Sequence, residues 1–329
     1  MNKFISGWIN KLLNSSFFIG LKTWSQNVTI PGFQRVSLYT TFTFLYLELK
    51  RNDLNLRASA ISYSFFLALF PALIFFFTLT AYLPESLHFF TTMEDSLKKL
   101  VPDKAEEFFW DNIIVGLLPQ AKGSILSIGF VMSIYFASNG LLALMQGFDK
   151  TYNSSFRKRS WWEKELVAYF LTFLLALLFI ISMIVIILSG QIFNWIGSYF
   201  ELTHFFLVVV QLSKYVLLLI LFYIIIAVIY RFGPALHKPF VGISPGAVFA
   251  TAGSLITSTL FGYFVDNFGN YHKIYGAISA LIIALIWIRI NVMILILGFE
   301  LNAAIAVNRD IGQIVKKRSE LDSISEEDI

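Results

Sequence analysis

The chain has no cysteine, and only four histidines and eight prolines among its 329 residues. Without cysteine there is no disulfide, no thiol nucleophile and no thiolate metal site. The histidines (His88, His204, His237, His272) stand far apart, with no H-E-x-x-H spacing to put two metal ligands on one helix face. Charge is scarce too, at 14% of residues against about 25% in soluble domains. What fills the space is 57% hydrophobic residues, 35 of them phenylalanine, with a mean hydropathy of +0.70. No metal site, no catalytic residue and no cofactor is expected from this inventory.

Long apolar runs place the chain among polytopic membrane proteins. A hydrocarbon core of about 30 Å needs about 20 apolar helical residues. Six segments reach that length, at 58–83, 124–146, 166–190, 206–230, 243–265 and 274–306. The expected fold class is therefore all-α, a transmembrane bundle of six helices. Lysine and arginine divide eighteen to five between the two sides of such a bundle, which predicts both termini in the cytoplasm of a bacterial inner membrane. The same bias accounts for a pI near 9.0 without a nucleic-acid partner. Membrane lipids are the expected partners; a homo-oligomer or an envelope-protein partner is left open.

Residues 1–57 read as surface helices ahead of the six-span domain at 58–308. In MNKFISGWINKLLNSSFF, apolar residues recur at i, i+4 and i+8, which is not a signal-peptide pattern. In RVSLYTTFTFLYLELK, the predicted buried face is Leu38, Phe42, Leu45 and Leu49. The exported segment 84–122 carries seven acids and reads as two short helices, either a cap or an inert packed loop. The tail, 309–329, is polar, acidic at its end, and expected to be disordered.

Within the spans, polar and small residues draw attention. Pro71 interrupts span one and predicts a kink. Gly246, Ala250, Ser254, Ser258 and Gly262 recur every four residues along span five, a stripe that lets another backbone approach closely. Lys214, near the outer end of span four, is expected to snorkel. Span six carries Arg289 and Glu300, and charges inside a bilayer are costly and usually functional. Every 20-residue window between 274 and 308 contains Arg289, but only those starting at 281 or later contain Glu300. Arg289 is thus the obligate intramembrane charge. Three roles fit it: a structural cation, a cation in a polar cavity meeting an anionic group, or a snorkelling side chain. For Glu300, either an interfacial ion pair with Arg or Lys or a proton-titrating role fits. Asn291 and Asn302 repeat the same eleven-residue spacing on another face, which predicts a span six touched from both sides.

These segments resemble the YihY/BrkB family of inner-membrane proteins, once labelled "ribonuclease BN". The resemblance runs from Leu56 to Ala306. It is carried by RASAISYSFFLALFPAL (57–73), SNGLLALMQGFDKTYN with the following RSWW (138–162), YRFGP (230–234), and 244–305, from SPGAVFATAGS through FVDNFGNYHKIYG to LGFELNAAI. It implies a six-helix protein with cytosolic termini, discussed as a transporter, with envelope lipids, lipid-linked molecules or small ions as cargo. The motif positions carried over are Pro71, Tyr271, Tyr275, Gly276, Gly298, Glu300 and Asn302. Two departures stand out: Asn139 where relatives often have arginine, and Arg289 where an uncharged, often aromatic residue is usual.

The acids are scattered and no phosphate loop or nucleophile elbow occurs, so an enzyme is not expected. The leading expectation is a transporter of an envelope lipid or other anionic amphiphile. Its cavity would lie among spans one, five and six and draw on Arg289, Glu300, Asn291, Asn302, Tyr271 and Tyr275. The alternatives are a proton- or ion-coupled carrier using Glu300 and a non-transporting assembly protein.

Overall fold

In the computed structural model, residues 16–29, 32–51, 53–80, 123–199, 204–239, 243–267 and 278–327 are described. Two short helices, α1 (Ser16–Asn27) and α2 (Leu38–Arg51), precede six long ones. These are α3 (Leu54–Thr80), α4 (Gly123–Gly147), α5 (Trp161–Tyr199), α6 (His204–Phe232), α7 (Pro245–Asn267) and α8 (Ile278–Glu327). Each of the six contains a stretch long and apolar enough to cross a membrane. The chain is a multi-pass membrane protein.

The six helices form a ring in chain order, with α8 closing it against α3. All six contribute to one core, through Ile61, Leu144, Leu171, Ile226, Ala250 and Phe299 among others. The outer surface is apolar: Phe173, Leu166 and Trp162 are each 74% exposed. A surface of that kind is stable only against lipid.

The core is densest at the end of the bundle where α2, the α4–α5 connection and the second half of α8 meet. Because most of the Lys and Arg residues gather there, we call it the basic end. There Phe148 stacks on Phe299 with centroids 4.3 Å apart. Phe299 to Val307 are buried on every side of α8. Two connections are stitched together at the same level. Arg157 N donates to Ala235 O at 2.8 Å, and His237 N to Ser155 O at 2.9 Å.

Four expectations change. On α2, Leu38, Leu45 and Leu49 are half-buried, but Thr41 and Glu48 point fully inward and Phe42 is 54% exposed. Partners for Glu48 in Lys150 and Tyr152 turn that face inward. The tail is helical to Glu327, continuous with α8, because Lys, Arg, Glu and Leu all favour helix once a turn is already formed. Span six is enclosed only in its second half; toward its start Leu281, Leu285, Ile286, Trp287 and Arg289 are exposed. The spacing stripe on α7 also works only in part. Gly246, Ala250 and Ser254 are buried and Trp287 Nε1 donates to Ser258 Oγ at 3.2 Å, but a Cβ at Gly262 would meet nothing within 4 Å. So α7 and α8 touch closely at the basic end and diverge beyond Ser258. Helix α3 continues on both sides of Pro71. The segments 1–15 and 84–122 and residues Tyr271, Tyr275 and Gly276 lie outside the described residues, as does the side chain of Lys214.

Candidate functional site: a buried charge cluster and an exposed arginine

Glu300 is the hub of the basic end. It is 2% exposed, and its carboxylate is held by two cations from distant segments. Arg57 Nη2, from the first turn of α3, donates to Oε1 at 2.5 Å. Lys150 Nζ, just past α4, donates to Oε1 at 2.8 Å and lies 2.7 Å from Oε2. The lysine is shared: it also donates to Glu48 Oε1 of α2 at 2.8 Å. Tyr152 OH donates to the other oxygen of Glu48 at 2.9 Å. Two carboxylates and two cations thus balance in a dry site. Without that balance, each buried ion would carry a desolvation cost of several kcal/mol, roughly.

Two residues along α8, Asn302 faces the start of α7. Its Oδ1 accepts from Gly246 N at 2.8 Å and its Nδ2 donates to Ser244 Oγ at 2.7 Å. One side chain thereby satisfies a backbone N–H in the first turn of α7, where no helical acceptor exists. Gly246 and Gly298 bring the two backbones into contact: a Cβ on Gly246 would overlap the Gly298 carbonyl oxygen. A Cβ on Gly298 would lie 2.5 Å from the Tyr230 hydroxyl, which itself donates to Leu295 O at 2.6 Å.

Arg159 closes the last side of the hub. Its guanidinium donates to the carbonyls of Gly233 (2.6 Å), Phe232 (2.9 Å) and Pro234 (3.3 Å), capping the end of α6. Burial, and then the charge of Arg157, lower its pKa. A lysine cannot span three carbonyls. Arg159→Lys is expected to lower stability by about 1–2 kcal/mol, read as the unfolding midpoint in detergent.

The segments RASAISYS, GFDKTYN, RSWW, YRFGP, SPGA and LGFELNA therefore meet at one place, through Arg57, Lys150, Tyr152, Arg159, Tyr230, Gly246, Gly298, Glu300 and Asn302. The candidate residues divide. Glu300 and Asn302 are in the hub, each tied to more than one distant segment or group. Asn291 Nδ2 donates back to Trp287 O of its own helix at 2.9 Å. Arg289 is exposed on the flank of α8, and among the described residues it makes no hydrogen bond or ion pair. Eleven residues of helix, about 16 Å, separate it from Glu300. The cavities described are a groove of about 520 Å³ between α1 and α2, lined by Trp24, Tyr39 and Phe42 among others, and a notch of about 230 Å³ around His237, Lys238 and Asp310. Neither is lined by α3, α7 and the α8 candidates. Sequence reasoning missed Glu48, Arg57, Lys150 and Tyr152. The available signal was Glu48 itself, an acid spaced seven residues from Thr41 in an otherwise apolar helix.

Comparison with known proteins agrees with this convergence of motifs. The sequence profile described as "Virulence factor BrkB" matches residues 45–321. A Bacillus subtilis (strain 168) protein named "Putative ribonuclease-like protein YfkH" is 30% identical over 75% of this chain and 88% of its own. A "UPF0761 membrane protein" of Tolumonas auensis is 25% identical over 80% of this chain and 84% of its own. One from Histophilus somni (strain 2336) is 26% identical over 84% and 95%. No solved structure matches. With the profile spanning most of the chain and six apolar helices to match, the protein belongs to the YihY/BrkB family of multi-pass membrane proteins.

Proposed function

We propose that the protein handles an anionic amphiphile, a phospholipid or a lipid-linked phosphate, in a bacterial inner membrane. The basic end faces the cytoplasm in this reading, following the excess of Lys and Arg there. The observation that carries it is Arg289. It is an exposed cation with no hydrogen bond or ion pair among the described residues, one turn along α8 from Leu285 and Ile286 on an apolar flank. If Glu300 lies at the cytoplasmic boundary, Arg289 is about 16 Å inside a core about 30 Å thick. An arginine at that depth is costly unless an anion or water meets it, and a lipid phosphate brought along the flank is a fitting anion. In this reading the amphiphile meets Arg289 along the exposed flank of α8.

This reading assigns no enzymatic step, and the carboxylates of the hub serve as partners of Arg57 and Lys150. Glu300 as an alternating proton carrier has less support, since Arg57 and Lys150 hold it on a buried tie between helices.

The test is lipid analysis by mass spectrometry of the protein purified in mild detergent, as wild type, Arg289→Lys and Arg289→Leu. An anionic lipid enriched in the wild type should fall about tenfold in Arg289→Leu, equivalent to about 1.4 kcal/mol, and persist in part in Arg289→Lys. Identical profiles in all three folded proteins would sink the role of Arg289. A shift from dimer to monomer in Arg289→Leu would instead make it a contact between copies.

A further inference from the structure

We propose that Lys150, Tyr152 and Arg57 form an anion-binding site at the basic end, suited to a phosphate group, and that α2 keeps it closed with the carboxylate of Glu48. The proposal rests on the anionic-amphiphile reading and supplies it with a second station and a gate. Four observations point to it.

Glu48 occupies the place of a ligand. Its oxygens accept from Lys150 Nζ (2.8 Å) and Tyr152 OH (2.9 Å), as oxygens of a phosphate would. With Glu48 withdrawn, two cations would face the single carboxylate of Glu300, an excess of one positive charge in a site otherwise shielded from water. That imbalance is what attracts an anion.

A donor is already waiting there. Arg57 Nε is buried and makes no hydrogen bond, while Nη2 of the same guanidinium is spent on Glu300. Buried nitrogens of this kind are normally satisfied.

Helix α2 is also unlike a helix fixed in a core. It turns Thr41 and Glu48 inward, and leaves Phe42, Tyr46 and Leu47 54%, 66% and 58% exposed. Leu38, Phe44 and Leu45 pack only half-buried against the core, so lifting breaks those contacts together with the polar ones, and the outward apolar residues suit a lipid surface once released.

Finally, the segment leading into α2 holds unusual backbone. Gly32, Gln34 and Arg35 have φ of 91°, 51° and 68°. Left-handed conformations at two non-glycine residues are costly and persist where surrounding contacts enforce them. Phe33 and Val36 are anchored against Leu301 and Ile305 of α8, so the hinge stays attached while α2 moves.

The absence of cysteine allows a clean test. Thr41 is 0% exposed on the covered face of α2, so Thr41→Cys in the full chain is a single reporter of lifting. The labelling rate with a membrane-impermeant maleimide would be measured in phosphatidylcholine nanodiscs at fixed ionic strength. Inorganic phosphate is added in one arm, and phosphatidic acid is built into the disc in the other. A severalfold rise is expected. A rise with inorganic phosphate assigns the site to a free phosphate, and one with phosphatidic acid alone assigns it to a lipid headgroup. Lys150→Met should abolish the response. Tyr152→Phe, which keeps the ring and the fold, should move the half-maximal concentration upward. A flat rate in both arms, or an equal rise with chloride, overturns the closed site. The two readings fail separately. A flat labelling response with Arg289-dependent lipid retention intact removes the gate alone. A responsive α2 with no Arg289 dependence removes the flank contact alone.

Discussion

Glu300→Ala is expected to destabilise the bundle by about 3–5 kcal/mol, the largest effect of any single side chain here. The substitution removes the carboxylate that holds Arg57 Nη2 at 2.5 Å and Lys150 Nζ at 2.7 Å. Lys150 is only 4% exposed, so its charge cannot recover its hydration without opening the end of the bundle. Glu48 remains as its sole carboxylate, and one excess positive charge stays buried. The measurement is the unfolding midpoint in a fixed detergent, by tryptophan fluorescence or differential scanning. Glu300→Gln keeps the shape and should lose nearly as much, which separates charge from volume. The double variant Glu300→Gln with Lys150→Met should recover part of the loss, since removing both members of a buried pair costs less than removing one. A midpoint for Glu300→Ala close to wild type would mean that water reaches the cluster freely, and would sink this account.

The second large effect belongs to a residue without a side chain. Gly246→Ala should cost about 3 kcal/mol, the upper range for overpacking, because the added methyl meets backbone rather than a flexible chain end. The new Cβ would overlap the Gly298 carbonyl oxygen and crowd the Asn302 side chain. The start of α7 must then shift off α8, and the Asn302 bonds to Gly246 N and Ser244 Oγ break with it. Gly262→Ala on the same helix is the internal comparison. Nothing lies within 4 Å of its Cβ, so alanine's better helix propensity should leave stability unchanged or raise it by up to about 1 kcal/mol. Equal losses at the two positions would show that the cost is helical and not a matter of close approach.

The contrast between these glycines also shows how far the sequence could be read. Span positions followed from hydrophobic length alone: the expected 166–190 and 243–265 fall within α5 and close to α7. The four-residue stripe identified the face of α7 that meets α8, since small residues on one face have few other uses. It could not say where the two helices part, because that depends on what α8 offers at each level. Charges were legible as positions but not as partners. Glu300 pairs with cations, one of the two readings open to it, yet both cations come from segments 243 and 150 residues away. Arg289 stands in the apolar first half of α8 and is exposed there. Its exposure depends on α8 being enclosed at only one end, which periodicity does not encode. The inward face of α2 was misjudged in part for a related reason. Hydrophobicity ranks Phe42 above Thr41, whereas Thr41 and Glu48 point inward, toward the partners of Glu48.

The charge cluster has a consequence for biogenesis. Glu48, Arg57 and Lys150 are all made early, and their common carboxylate, Glu300, arrives last. Synthesis at about 5–20 residues per second puts roughly 12–50 seconds between Arg57 and Glu300 emerging from the ribosome. Once Lys150 has been made, Arg57 and Lys150 carry one more positive charge than Glu48 neutralises until Glu300 arrives. Insertion of the sixth span then satisfies Arg57 and Lys150 together and brings Asn302 to the start of α7. The final helix thus acts as a completion check.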